Sequence, residues 1–215
     1  IYDRLVGSEM CIRDSLTDAG VYGPQMEHDA CGVGFVAARD GKPTRAVVDA
    51  AIEALQAIWH RGAVDADGMT GDGAGIHIEI PRDFFIEHIA RTGHDDDGGR
   101  LAVGMVFLPR TDLAAQERCR CIVEQEILAV GHVIYGWRQV PVDTQALGDK
   151  AMATRPEIEQ IMFSMPTEID EEEAERQLYV VRRRIEKAVT AELISDFYIC
   201  SMSSRSIIYL SLIHI

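Results

Sequence analysis

The stretch EHDACGVGFVA, Glu27 to Ala37, puts a thiol at the head of a short apolar run broken by two glycines. Residues 31–38 are too few and too apolar for a surface helix, so the run predicts a buried strand. Gly32 and Gly34 leave room for other groups to approach the backbone behind Cys31. Two readings of Cys31 follow. It is a buried strand cysteine behaving as a small hydrophobe, or it is a nucleophile, which needs a base or a lowered pKa to exist as thiolate. Cleavage just before the cysteine would supply that base. The freed α-amine has an ordinary pKa of about 8, close to that of a thiol, and can take its proton directly or through a water.

Downstream, Val47, Val48, Ala51, Ile52, Leu55, Ile58 and Trp59 recur at helical spacing, predicting an amphipathic helix over 44–59. Arg61 and Gly62 follow at the C-terminal end, where a basic side chain and a glycine both suit a helix stop. Residues 61–75, RGAVDADGMTGDGAG, read as a loop of constrained backbone, and Ile76, Ile78 and Ile80 as an alternating strand. The GDGAG segment lacks the P-loop lysine and precedes a strand, so it predicts a tight turn and not a phosphate cradle. Further on, the pattern predicts a helix from Pro81 to before Gly93, a solvated HDDDGG loop (94–99), a strand over 101–107 and a helix over 112–130. Strands at 132–137 and 158–164 come next, then a helix from the acidic run at 170–173 through Leu193. Two adjacent strands, 196–203 and 205–211, form a hairpin. Long helices interspersed with strands that need not be parallel make a mixed α+β domain.

Composition narrows the function. The chain has 215 residues, 35 acidic against 21 basic, and a net charge of −14. That excess speaks against nucleic acid as a partner, because nothing would offset phosphate repulsion. No segment approaches the roughly 18–20 apolar residues of a membrane span. Five unevenly spaced cysteines do not make a disulfide framework, which points to a reducing, cytoplasmic setting. Cys119 and Cys121 stand two apart on a helix and cannot share one metal; His94 with its three aspartates is explained by an exposed loop. Arg182, Arg183 and Arg184 are expected to pair within their helix. The expectation for the ends is that 1–15 is a non-native, adapter-like leader, 16–30 a leader or propeptide, 31–209 the N-terminal part of a larger domain and 210–215 a non-native tail.

Together, EHDACGVGFVA (27–37), WHRGAVDADGMTGDGAGI (59–76), VGMVFLPR (103–110), GWRQVPVD (136–143) and DFYICSMSSRSIIY (196–209) resemble the glutaminase domain of the glutamate synthase large subunit, a class II glutamine amidotransferase. The resemblance runs in order from about residue 20 to 210. It implies an N-terminal-nucleophile hydrolase fold, a four-layer αββα sandwich that would be incomplete here. It makes Cys31 the catalytic nucleophile and first residue of the mature enzyme, with its α-amine as base, and Arg61 an active-site support residue beside it. Asp65 stands where relatives often carry glycine. The implied reaction is hydrolysis of L-glutamine to glutamate and ammonia, the ammonia then joining 2-oxoglutarate in a reductive synthesis elsewhere in the parent. No cofactor is expected within these residues; FMN and an iron–sulfur cluster are implied for the parent, with a small NAD(P)H-oxidising subunit or ferredoxin as electron source. The oxyanion-hole asparagine–glycine pair and the glutamine clamp of the family have no match here, so the chain alone is expected to be inactive and aggregation-prone. The rival expectations are an amidotransferase subunit serving another ammonia acceptor, and a non-catalytic regulatory or interaction domain.

Overall fold

The computed structural model describes residues 32–58 and 68–213. From Gly34 on they belong to one contact unit. In chain order the elements are α1 (Arg45–Ala57), β1 (Thr70–Glu79), α2 (Arg82–Arg91), β2 (Arg100–Leu108), α3 (Leu113–Ala129), β3 (Val133–Gln139), α4 (Asp149–Thr154), β4 (Glu157–Met165), α5 (Glu171–Ala191), β5 (Tyr198–Ser203) and β6 (Ser206–Ile213). A single 3-10 turn, Thr144–Ala146, precedes α4. Among the described residues every strand pairing is antiparallel.

β3, β4, β2 and β5 form a four-stranded sheet in that order, and β1 pairs with β6 in a second, two-stranded sheet. The central strands are apolar on both faces because both are covered. Along β2, Ala102, Val106 and Leu108 join the core built with α3 and α5; Leu101, Val103 and Met105 point into a second core with Phe85 and Ile89 of α2 and Ile207 of β6. Alternation at period two explains this division. β4 does the same, with Ile161, Phe163 and Met165 under the helices and Met162 on the other side. Burying each such side chain is worth about 1.5–3 kcal/mol. Helix α5 presents Ala174, Leu178, Val181, Ile185 and Val189, all fully buried at helical spacing. Its start is capped by Asp170, whose carboxylate accepts from the Glu173 amide, and Asp112 caps α3 in the same way through Ala115.

The structure departs from the sequence reading at four places. Residues 32–38 form no strand, and Phe35 is 93% exposed. Among the described residues β1 pairs with β6 alone, and an apolar run without a strand beside it has no ladder to enter. The second correction concerns 70–75, which are not a loop or tight turn but the first half of β1. The register jumps from Thr70↔Ile213 to Ala74↔Ser211, so β1 carries extra residues in a bulge, and Gly73 there has φ +99°. Third, β5 and β6 are consecutive but belong to different sheets instead of forming a paired hairpin. The Ser203–Ser206 corner turns the chain from one layer to the next, tied by the Ser203 hydroxyl, which accepts from the Arg205 and Ser206 amides. Fourth, α5 stops at Ala191. Leu193 continues no apolar stripe; it sits beyond the end at φ +59°, 92% exposed. The short elements between β3 and β4 carry too few residues for a periodic signal.

Candidate active site

Cys31 and Arg61, the two residues assigned to chemistry, lie outside the described residues. What flanks them is visible. Gly32 to Ala38 run on from Cys31 without secondary structure, and β1 opens with the TGDGAG segment nine residues beyond Arg61. The glycines of that segment have two distinct reasons. Gly73 takes a backbone conformation that a side chain resists. At Gly75 a Cβ would stand 2.7 Å from the Leu210 side chain and 3.1 Å from the Tyr209 carbonyl, so a larger residue would make Leu210 move and push β6 outward by a few tenths of an ångström.

Two of the described thiols, Cys119 and Cys200, are poor nucleophiles. Cys119 is fully buried, and desolvation, aided by Glu192, pushes it up to about 11. Burial likewise raises Cys200, which is 6% exposed and turned toward the Ile208 carbonyl. A thiol held protonated neither attacks a carbonyl nor ligates a metal at neutral pH. Among the described residues, no three His, Cys, Asp or Glu side chains are grouped so as to hold a metal ion. The described residues therefore do not fit an iron–sulfur cluster. The HDDDGG loop is not simply solvated. Asp97 Oδ1 accepts from the Tyr135 hydroxyl at 2.5 Å, the Gly99 amide at 2.8 Å and the Ser164 hydroxyl at 2.9 Å, bolting the loop to β3 and β4. The Tyr135 hydrogen bond is the main reason that its carboxyl titrates below the usual range. Asp96 pairs with Arg82 at 3.0 Å.

Two polar clusters escaped the sequence reading. On the helix side, Arg120 of α3 holds Glu159 of β4 and donates to Gln116, whose amide in turn donates to the Pro109 carbonyl. On the other side, Arg138 of β3 donates to His88 of α2 at 3.2 Å and to Gln160 of β4 at 2.8 Å, and its guanidinium lies 4.9 Å over the Phe84 ring. Gln160, fully buried, donates to the Tyr209 hydroxyl of β6 at 3.2 Å. The available signal was polar residues inside otherwise apolar strands: Glu159 and Gln160 interrupt β4 on successive, opposite faces. As expected, Arg182 and Arg183 both pair with Glu186 within α5. Among the described residues, no helix is long and apolar enough to cross a membrane. A cleft of about 380 Å³ between the ends of β3 and β4, lined by Gln139, Val142, Arg155 and Glu157 among others, contains no nucleophile.

Comparison with known proteins matches these features to one group. Residues 31–215 match the family described as glutamine amidotransferases class-II. The chain is 63% identical over 195 residues to the glutamate synthase [NADPH] large chain of Azospirillum brasilense, which covers 91% of this chain and 13% of that protein. It is 42% identical over 184 residues to the ferredoxin-dependent glutamate synthase 2 of Synechocystis, covering 85% and 12% respectively. With the glutamate synthase [NADPH] large chain of Bacillus subtilis the identity is 36% over 199 residues, covering 90% and 13%. The chain thus spans about an eighth of the length of these relatives. A family match beginning at Cys31 and running the length of both sheets leaves one assignment: the chain belongs to the class II glutamine amidotransferases.

Proposed function

We propose that this chain is the glutaminase part of a glutamate synthase and that Cys31 is its nucleophile. The observation that carries the reading is the 63% identity across 91% of the chain to a glutamate synthase large chain. The family match starting at Cys31 supports removal of the residues before it. In the proposed reaction the Cys31 α-amine takes the thiol proton, and the thiolate attacks the side-chain amide carbon of L-glutamine. The tetrahedral adduct collapses as the C–N bond breaks, the leaving nitrogen takes the proton back, and ammonia departs from a γ-glutamyl thioester. Water, deprotonated by the same amine, cleaves the thioester to glutamate and restores the thiol. Arg61 supports the nucleophile.

The fold reading that goes with this function is the αββα sandwich of N-terminal-nucleophile hydrolases. The α3–α5 layer over the four-stranded sheet, and the second core shared with β6 and α2, support it. The chain contains no asparagine, so the asparagine of the oxyanion hole is not among these residues. Loss of one such donor typically costs about 100- to 1000-fold in rate. We therefore expect the 215-residue chain alone to turn over glutamine negligibly, and the exposed Phe35, with a β1–β6 sheet of only two strands among the described residues, to promote its aggregation.

In the parent, ammonia would pass to 2-oxoglutarate, with reducing equivalents from a small NAD(P)H-oxidising subunit or from ferredoxin; the names of the relatives give NADPH and ferredoxin. FMN and an iron–sulfur cluster would serve that reduction outside the described residues. The parent is proposed to be cytoplasmic. The test is Cys31→Ala in the full-length enzyme. Glutamine-dependent glutamate synthesis should vanish while synthesis from added ammonium and 2-oxoglutarate continues. Retention of the glutamine-dependent rate would refute the assignment.

A further inference from the structure

Arg138 is a half-buried cation with no carboxylate paired to it among the described residues. Its Nε donates to His88 Nε2 at 3.2 Å, one Nη donates to Gln160 Oε1 at 2.8 Å, and its guanidinium face rests on Phe84. Phe84 also packs against the His88 ring, centroids 4.5 Å apart. An imidazole nitrogen can accept from Arg138 only through its lone pair, so His88 is neutral here, with its proton on Nδ1. Protonation would place an N–H against the Arg138 N–H and a second cation beside the first.

The cluster joins four elements across the seam between the layers. His88 and Phe84 come from α2, Arg138 from β3 and Gln160 from β4. Tyr209, which accepts from Gln160, comes from β6 and stands in register with Ile76 of β1, the strand that carries TGDGAG. We propose that His88 and Arg138 form an acid-sensitive latch, closed while His88 is neutral, that holds α2 and, through Gln160 and Tyr209, the β1–β6 pair against the four-stranded sheet. Burial and the neighbouring Arg138 and Arg91 all disfavour the charged imidazole; Glu87 on the same helix acts in the opposite sense. From β4 and β6 the facing groups are the Gln160 amide and the Tyr209 hydroxyl. The sign is therefore definite. The latch is closed above the ordinary imidazole value of 6.5 and opens as pH falls through the lower value of the folded state.

The test uses full-length protein and hydrogen exchange read by mass spectrometry, which resolves single histidines through their ring C–H and strand segments through their amides. His88 should titrate below 6.5, and Arg138→Gln should raise its midpoint. On acidification the amides of the peptide covering β6 should exchange several-fold faster than the intrinsic pH dependence allows. His88→Gln, whose side-chain carbonyl can still accept from Arg138, should abolish that acceleration. A His88 midpoint at or above 6.5, a midpoint unmoved by Arg138→Gln, or β6 exchange equally acid-sensitive in His88→Gln would overturn the latch. His132 also disfavours its charged form but sits on the helix side against Phe163, so ring exchange read residue by residue separates the two.

Discussion

Arg120 and Glu159 join α3 to β4 by a two-pronged hydrogen bond, with Nε donating to Oε2 at 2.8 Å and Nη2 donating to Oε1. The side chains are only 22% and 10% exposed. Planar guanidinium on carboxylate in this geometry fixes where the helix lies on the sheet. The carboxylate is also the main reason that the Arg120 pKa is raised.

Removing one partner strands the other. Arg120→Met should destabilise the fold by about 2–4 kcal/mol, somewhat below a fully buried pair because Arg120 keeps some access to water. Arg120→Met combined with Glu159→Leu should recover most of that loss. Urea unfolding of the two single variants and the double variant measures the coupling; additive losses would mean that the pair carries no specific energy.

His132 is 3% exposed, and neither ring nitrogen has a partner among the described residues; the ring stacks on Phe163. Burial alone lowers its pKa. A lowered folded-state value means that the unfolded chain binds the proton more readily, so stability is full above the ordinary value of 6.5 and falls as pH drops through the folded value. His132→Leu should stabilise by about 1 kcal/mol at pH 8, by removing a buried unsatisfied group, and by more at pH 5.5. Denaturant midpoints at the two pH values check it. A gain that shrinks on acidification would contradict the account.

Leu193 pays for a left-handed backbone with a side chain left in water. Its amide donates to the Thr190 carbonyl at 3.0 Å in the turn that ends α5. Leu193→Gly should raise stability by about 0.5–1 kcal/mol, because the strain it relieves exceeds the extra freedom glycine has in the unfolded chain. Thermal unfolding should show a higher Tm.

Much of this was legible in the residues. The α5 stripe and the Asp170 and Asp112 caps depend on local periodicity and chain-end chemistry, which a sequence carries openly. Residues 32–38 form no strand; an apolar run says nothing about whether a neighbour exists. Likewise, whether β6 turns back on β5 or crosses to β1 is decided by the Ser203–Ser206 corner and the bulge at Gly73, not by alternation. The polar seams Arg120–Glu159 and Arg138–Gln160 join residues 39 and 22 positions apart, so no local pattern announces them. For the site, Cys31 and Arg61 stood out only when HRGA, TGDGAG and DACGVGF were read as one ordered set. Singly, each had an ordinary structural explanation.

The central claim is that Cys31 carries the glutamyl group. Full-length enzyme mixed with L-glutamine and quenched in acid within the first turnovers should yield a γ-glutamyl adduct on a peptide whose first residue is Cys31, absent from the Cys31→Ala variant. An active preparation in which the residues before Cys31 remain attached, or an adduct on any other residue, would contradict the account.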